Sequence, residues 1–149
     1  MKVKFFKTKS VKTPTRGTGK SAGIDFYVPD DFESITLSPN QDVLIPSGLK
    51  VRIPDGYALV ANNKSGVATK KKLIVGASVV DEDYMGEVHL HLINVGESDV
   101  EINPGDKILQ FILEKQEYCG IEVVDSIDSL YGDIQSDRGD GGFGSTGTN

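Results

Sequence analysis

The stretch Glu87-Val88-His89-Leu90-His91-Leu92 decides the fold class. Val88, Leu90 and Leu92 fall on one parity and Glu87, His89 and His91 on the other. An extended chain therefore puts the aliphatic side chains on one face and the polar ones on the opposite face. Working outward, comparable runs precede it at Lys2–Lys7, Ile24–Val28, Val43–Ile45, Leu49–Ile53, Tyr57–Ala61 and Leu73–Val75. Others follow, at Val100–Ile102, Lys107–Glu114 and Ile121–Val124, and the alternating run itself extends to Val95. Pro29, Pro39, Pro46, Gly48, Pro54 and Gly56 separate the early runs as turn residues do. Short strands at such regular spacing predict an all-β sandwich, jelly roll or barrel. Only Ser65–Lys72 reads as a short helix.

The chain has 149 residues, 38% of them hydrophobic, which suits one domain able to bury a core. Its formal net charge of −6 argues against general nucleic-acid binding, which relies on clustered basic charge. No apolar run approaches the roughly 18 residues of a membrane span. The opening MKVKFFKTKSVK alternates charge with bulk, unlike a secretory signal. A lone Cys119 excludes an internal disulfide and a cysteine-based zinc site, and it suits a reducing, cytoplasmic compartment. Residues 1–130 are expected to form the domain. From Tyr131 to Asn149 six glycines accompany only Ile134 and Phe143 as further large apolar groups, so residues 131–149 are expected to be a mobile tail.

Two features resemble functional motifs and are weighed against plainer readings. Gly19-Lys20-Ser21 ends like a phosphate-binding loop, but Pro14 stands where that loop needs its first glycine, and a strand follows rather than a helix. Glu87, His89 and His91 share a strand face and offer a carboxylate with two imidazoles, a known metal set. No third histidine exists to complete a common jelly-roll site, and a polar strand face is the plainer reading. The segment from Gly76 to Glu87 joins two apolar strands through the acidic turn Asp81-Glu-Asp-Tyr84. Alone, it reads as a solvated hairpin end.

It does not stand alone. Ala22-Gly-Ile-Asp25, Lys64-Ser-Gly66, the Gly76–Glu87 hairpin, Pro104-Gly-Asp-Lys-Ile-Leu-Gln110 and Arg138-Gly-Asp-Gly-Gly-Phe143-Gly-Ser-Thr-Gly147 follow one another in that order. This ordered set closely resembles the homotrimeric dUTP pyrophosphatase family, over about residues 22–147. The resemblance implies a distorted jelly roll whose three subunits share their active sites. It also implies Mg2+-dependent hydrolysis of dUTP to dUMP and pyrophosphate by water attack on the α-phosphorus. That reaction limits uracil incorporation into DNA and supplies dUMP for thymidylate synthesis.

Residue by residue, Asp81 matches the family's catalytic aspartate; carboxylates are ionised at neutral pH and can take a proton from water. Lys64, Ser65 and Gly66 match the phosphate-gripping motif, Gln110 the glutamine near the α-phosphate, and Arg138, Gly144, Ser145 and Thr146 the tail that closes on the γ-phosphate. Asp25 matches an aspartate that meets the metal through water, with Mg2+ held mainly by the triphosphate. Tyr84 matches the tyrosine packed under the deoxyribose, Phe143 the ring stacked over uracil, and Ser78, Val79, Val80 and His89 the surroundings of the base. Lys64, Met85, Ser78 and His89 depart from the family's commoner residues; lysine in place of arginine exchanges a forked phosphate contact for a point charge. Rival readings are a related dCTP deaminase, whose Arg-Ser-Ser signature is replaced here by Lys64-Ser-Gly66; a Glu87/His89/His91 metal enzyme; and a non-catalytic trimeric interaction module. Some family members also act as regulators through protein partners.

Overall fold

A computed structural model describes residues 1–143 and divides the chain into two units, Met1–Glu117 and Tyr118–Asn149. The first unit holds ten strands: β1 (Lys4–Lys7), β2 (Gly23–Phe26), β3 (Ile35–Leu37), β4 (Asp42–Arg52), β5 (Tyr57–Asn63), β6 (Leu73–Val75), β7 (Val79–Val80), β8 (Glu87–Asn94), β9 (Val100–Ile102) and β10 (Leu109–Lys115). They form two four-stranded sheets, ordered β1-β4-β8-β6 and β2-β10-β5-β7, with β3 and β9 paired separately. The all-β expectation is met. The expected helix is a single wide turn, Val67–Lys71, closed by Lys72 in the left-handed region at φ 56°.

Strand β8 behaves as its alternation requires: Val88, Leu90, Leu92 and Asn94 are buried, while His89 on the opposite face is exposed. Its buried aliphatics join Ile45 and Leu49 of β4 and Ile24, Phe26, Leu59, Leu109 and Phe111 of the other sheet in one core cluster. Phe26 lies between two rings, 4.5 Å from Phe111 and edge-on to Phe5 at 5.7 Å. A core drawn from facing sheets is what makes the pair of sheets stable, since each alone leaves an apolar face in water.

Three sequence expectations need correction. Val43–Ile45 and Leu49–Ile53 belong to one strand, because the Pro46–Gly48 interruption is absorbed as a register shift between Pro46 and Lys50 rather than as a turn. Gly48 takes φ 74°, and the Glu87 carboxylate accepts its N–H at 2.7 Å, supplying the bond that the ladder loses there. Residues 121–124 form no strand. Ile121 and Val123 are 96% and 91% exposed, and alternating apolar residues make a strand only where a neighbouring edge pairs with them. In the second unit the short helix α1 (Ile127–Tyr131) was not anticipated, although its signals are present. Ser126 Oγ accepts the Ser129 N–H at 3.0 Å as an N-cap, and Gly132 ends the turn at φ 53°.

The buried Asn94 carries a structural load. Its amide donates to Leu37 O and to Ser98 O, each at 2.9 Å, and its carbonyl accepts the Gly96 N–H at 2.9 Å. One side chain thus closes the β8–β9 turn and ties it to β3. Asn94→Ala would leave three backbone groups without partners. The expected cost is about 3 kcal/mol, read as a lower urea midpoint at unchanged slope.

Candidate active site

The acidic hairpin is built at a sheet edge. Val80 pairs with Leu59 and Val79 with Val60, and the Ala61 N–H bonds Ser78 O at 2.7 Å. In an antiparallel ladder hydrogen-bonded pairs alternate with open ones. Ser78 and Val80 therefore face β5, and Val79 turns its own N–H and C=O outward from the free edge of β7. After Val80 the chain turns through Asp81, whose C=O accepts the Tyr84 N–H at 3.2 Å, and enters the other four-stranded sheet at Glu87. The Tyr84 hydroxyl donates to Glu87 O at 2.9 Å, and its ring lies where a Cβ on Gly86 would stand, so this position must be glycine.

These groups wall a cleft of about 180 Å³. Ser78, Val79, Val80, Asp81, Tyr84 and His89 all line it, together with Leu44 and Phe111, which the sequence reading did not single out. Met85 points away and is 85% exposed. A larger cavity of about 750 Å³ lies between Lys70–Lys72 and residues 95–101. Of the motif residues it touches only Asp106, so size alone does not mark the site.

A second cluster collects charge. Asp25 is buried on β2, its Oδ1 in an ion pair with Lys64 and its Oδ2 3.3 Å from the Lys107 ammonium. Two cations against one carboxylate leave a local surplus of positive charge, suited to an anion. Lys64-Ser65-Gly66 runs from the end of β5 into the single helical turn, where Ser65 O accepts the Thr69 hydroxyl at 2.7 Å. Gln110 pairs with Asp25 on one side and Asn62 on the other, and donates to Asn63 O at 2.9 Å. Its side chain fills the space above Gly23, where any Cβ would overlap it. Lys107 was missed in the sequence because only the β2–β10 connection brings it to Asp25.

The remaining candidates divide. Gly19-Lys20-Ser21 is a loop tied by Arg16, whose guanidinium donates to Ala22 O at 2.7 Å, and β2 follows it without a helix. The Glu87/His89/His91 set does not converge. Glu87 binds the Gly48 amide, His89 Nδ1 lies 2.9 Å from Glu87 O, and His91 is engaged by Ala77 and Asp42. No cluster of three or more His, Cys, Asp or Glu side chains among the described residues could hold a metal. In the second unit, the Arg138 guanidinium donates to Gly141 O at 2.6 Å, and Phe143 is fully exposed. Gly144, Ser145 and Thr146 lie outside the described residues.

The dUTPase family profile matches residues 9–147. The deoxyuridine 5'-triphosphate nucleotidohydrolase of Mus musculus is 39% identical over 137 residues, covering 91% of this chain and 78% of its own length. Its mitochondrial counterpart in Homo sapiens is 40% identical over 91% of this chain, which spans only 50% of that longer protein. The enzyme of Finegoldia magna is 36% identical over 99% of both chains. Among solved structures, a variant of the Staphylococcus bacteriophage 80alpha dUTPase with dUpNHpp superposes with a TM-score of 0.84 at 21% identity, over 98% of each chain. A dUTPase variant from phage phi11 of S. aureus, described with a structural Mg(II) ion, gives 0.76 at 19% identity over 86% of this chain and 99% of its own. With a profile spanning nearly the whole sequence, and relatives more than a third identical over most of it, the chain belongs to the dUTPase family.

Proposed function

We propose that this chain hydrolyses dUTP to dUMP and pyrophosphate by attack of water on the α-phosphorus, with Mg2+ carried on the triphosphate. The observation that supports this most directly is the 180 Å³ cleft, which sets an unpaired strand edge, a tyrosine ring and the Asp81 carboxylate around one small space. The outward N–H and C=O of Val79 offer a donor and an acceptor to the edge of a pyrimidine. Uracil satisfies both, whereas the exocyclic amine of cytosine would leave the N–H facing a donor, a mismatch costing kilocalories. Tyr84, held rigid by its bond to Glu87 O, packs under the deoxyribose and leaves no room for a 2′-hydroxyl. Asp81 orients the water and takes its proton.

Lys64, Lys107 and Gln110 grip the phosphates, with Ser65 and Gly66 contributing hydroxyl and amide donors. A magnesium ion would arrive as part of the substrate, held mainly by the triphosphate, with Asp25 meeting it through water. That ion, when bound, neutralises phosphate charge as the bond to pyrophosphate breaks. Residues 131–149 act as a closing segment: Phe143 stacks on the base, while Arg138, Gly144, Ser145 and Thr146 meet the γ-phosphate. The proposed place of action is the cytoplasm. No helix of the described residues is long and apolar enough to cross a membrane.

We infer that the working form is a homotrimer. Gln110 and Phe111 are consecutive on β10, so they face opposite sides of the sheet. Phe111 lines the cleft, and Gln110 shares its row with Asp25. The proposed assembly would let groups from neighbouring copies complete base recognition around Val79 with phosphate recognition around Asp25.

Purified protein is expected to release pyrophosphate from dUTP with Mg2+ but not from dCTP, dTTP or UTP, and to stop with EDTA. Asp81→Asn should lower kcat by about a thousandfold at nearly unchanged KM. Release from dCTP with loss of ammonia would favour the deaminase reading instead. Co-expressing Asp81→Asn with Lys64→Ala is expected to restore activity that neither variant has alone. Failure to complement would place both residues in one chain's site. Removing residues 138–149 should cost most of kcat while leaving the assembly's size by sedimentation unchanged, and an undiminished kcat would refute the closing role.

A further inference from the structure

His91 takes no part in the reaction proposed above, yet both of its ring nitrogens are bonded. Nδ1 lies 2.7 Å from the Ala77 amide, which can only donate, so Nδ1 carries the lone pair and Nε2 the proton. Nε2 then donates to Asp42 Oδ2 at 2.8 Å. The ring occupies the space beside Gly76 that any Cβ would fill, and the Gly76 N–H bonds His91 O at 3.1 Å. Residues 76 and 77 are thereby clamped to β8 by one backbone bond and one side-chain bond. Two residues further on, Val79 presents its outward N–H and C=O.

The geometry points to His91, oriented by Asp42, as a positioning residue that sets the pyrimidine-reading edge of the cleft. This role rests on the proposed dUTP hydrolysis. The hairpin that reads the base is fixed at two places, by the Ala61 N–H bond to Ser78 O on the β5 side and by His91 on the β8 side. Losing the imidazole leaves residues 76 and 77 held to β8 by the Gly76 backbone bond alone, which loosens the approach to Val79 and blurs the donor–acceptor pattern that separates uracil from other bases. The ring also stands where the Ala77 amide would otherwise seek water.

The clamp needs an imidazole without a proton on Nδ1. Protonation would set N–H against N–H at the Ala77 contact.

Two substitutions separate the ring's two nitrogens. His91→Asn places a carboxamide oxygen near the position of Nδ1 and keeps an acceptor for Ala77. His91→Gln places its polar end near Nε2 and abandons Ala77. The expected result is a dUTP KM raised about tenfold in His91→Gln and within about twofold of wild type in His91→Asn, with kcat changed less than KM in both. Hydrogen exchange at the Ala77 amide, read without substrate, should quicken in His91→Gln only. Asp42→Ala, at an exposed carboxylate remote from the core, should raise KM about threefold and serves if His91→Gln fails to fold. Equal KM in both His91 variants, or no change in Asp42→Ala, would overturn the positioning role. Absence of dUTP turnover in the wild type would instead overturn the functional reading, and this role with it.

Discussion

Everything in the first unit depends on β8 serving two environments at once. One face must supply the core, and Val88, Leu90 and Leu92 do so with no polar atom to satisfy. The other face spends its polar side chains on the backbones of neighbouring segments. Glu87 holds the Gly48 amide at the irregularity in β4, and His91 holds Ala77 at the entrance to the hairpin. At the end of the strand Asn94, inside the core face, ties down the turn to β9 and the β3 carbonyl. The strand is thus a rigid rail whose aliphatic half fixes its position and whose polar half transmits that position to the loops. A cleft that reads a base through backbone atoms requires such a rail, because backbone atoms cannot adjust by rotamer.

Charge poses the opposite problem. The chain carries a net −6, yet the proposed ligand is a polyanion. The resolution is local. Asp25 is buried with both oxygens committed to ammonium groups, and a buried carboxylate so paired fixes the lysines more than it neutralises them. Lys64 and Lys107 are long flexible side chains that would otherwise sample many rotamers, and holding them in place reduces the ordering cost when an anion arrives. Overall acidity then acts elsewhere, in solubility and in repelling nonspecific polyanions, without weakening the cluster.

The fold class and the hairpin were legible because their signals are local. Alternation in β8 depends on neighbours two residues apart, and the motif glycines mark places where a side chain would collide. Gly23 beneath Gln110 and Gly86 beneath Tyr84 explain two glycines of the motifs on which the family resemblance rests. What was not legible depends on register. Lys107 meets Asp25, and His91 meets Ala77 and Asp42, only after strands far apart in sequence have paired. The same holds for Ile121–Val124, whose alternation looks like that of a true strand. Whether such a segment becomes one depends on a partner edge that the segment itself does not encode. His91 is the clearest case: read along its own strand it looked like half of a metal site, and only the neighbouring loop gives it a different use.

The separation of the two clusters across β10 links this local chemistry to assembly. The pleat sends the side chains of consecutive strand residues to opposite sides of a sheet. Gln110 and Phe111 are adjacent, and each is tied to one half of the proposed recognition. A monomeric enzyme built on this sheet would have to wrap its substrate around an edge. Placing a second copy's charged face against the first copy's cleft solves the problem without altering either sheet. The two halves can then be optimised separately, one for shape and hydrogen-bond pattern, the other for charge.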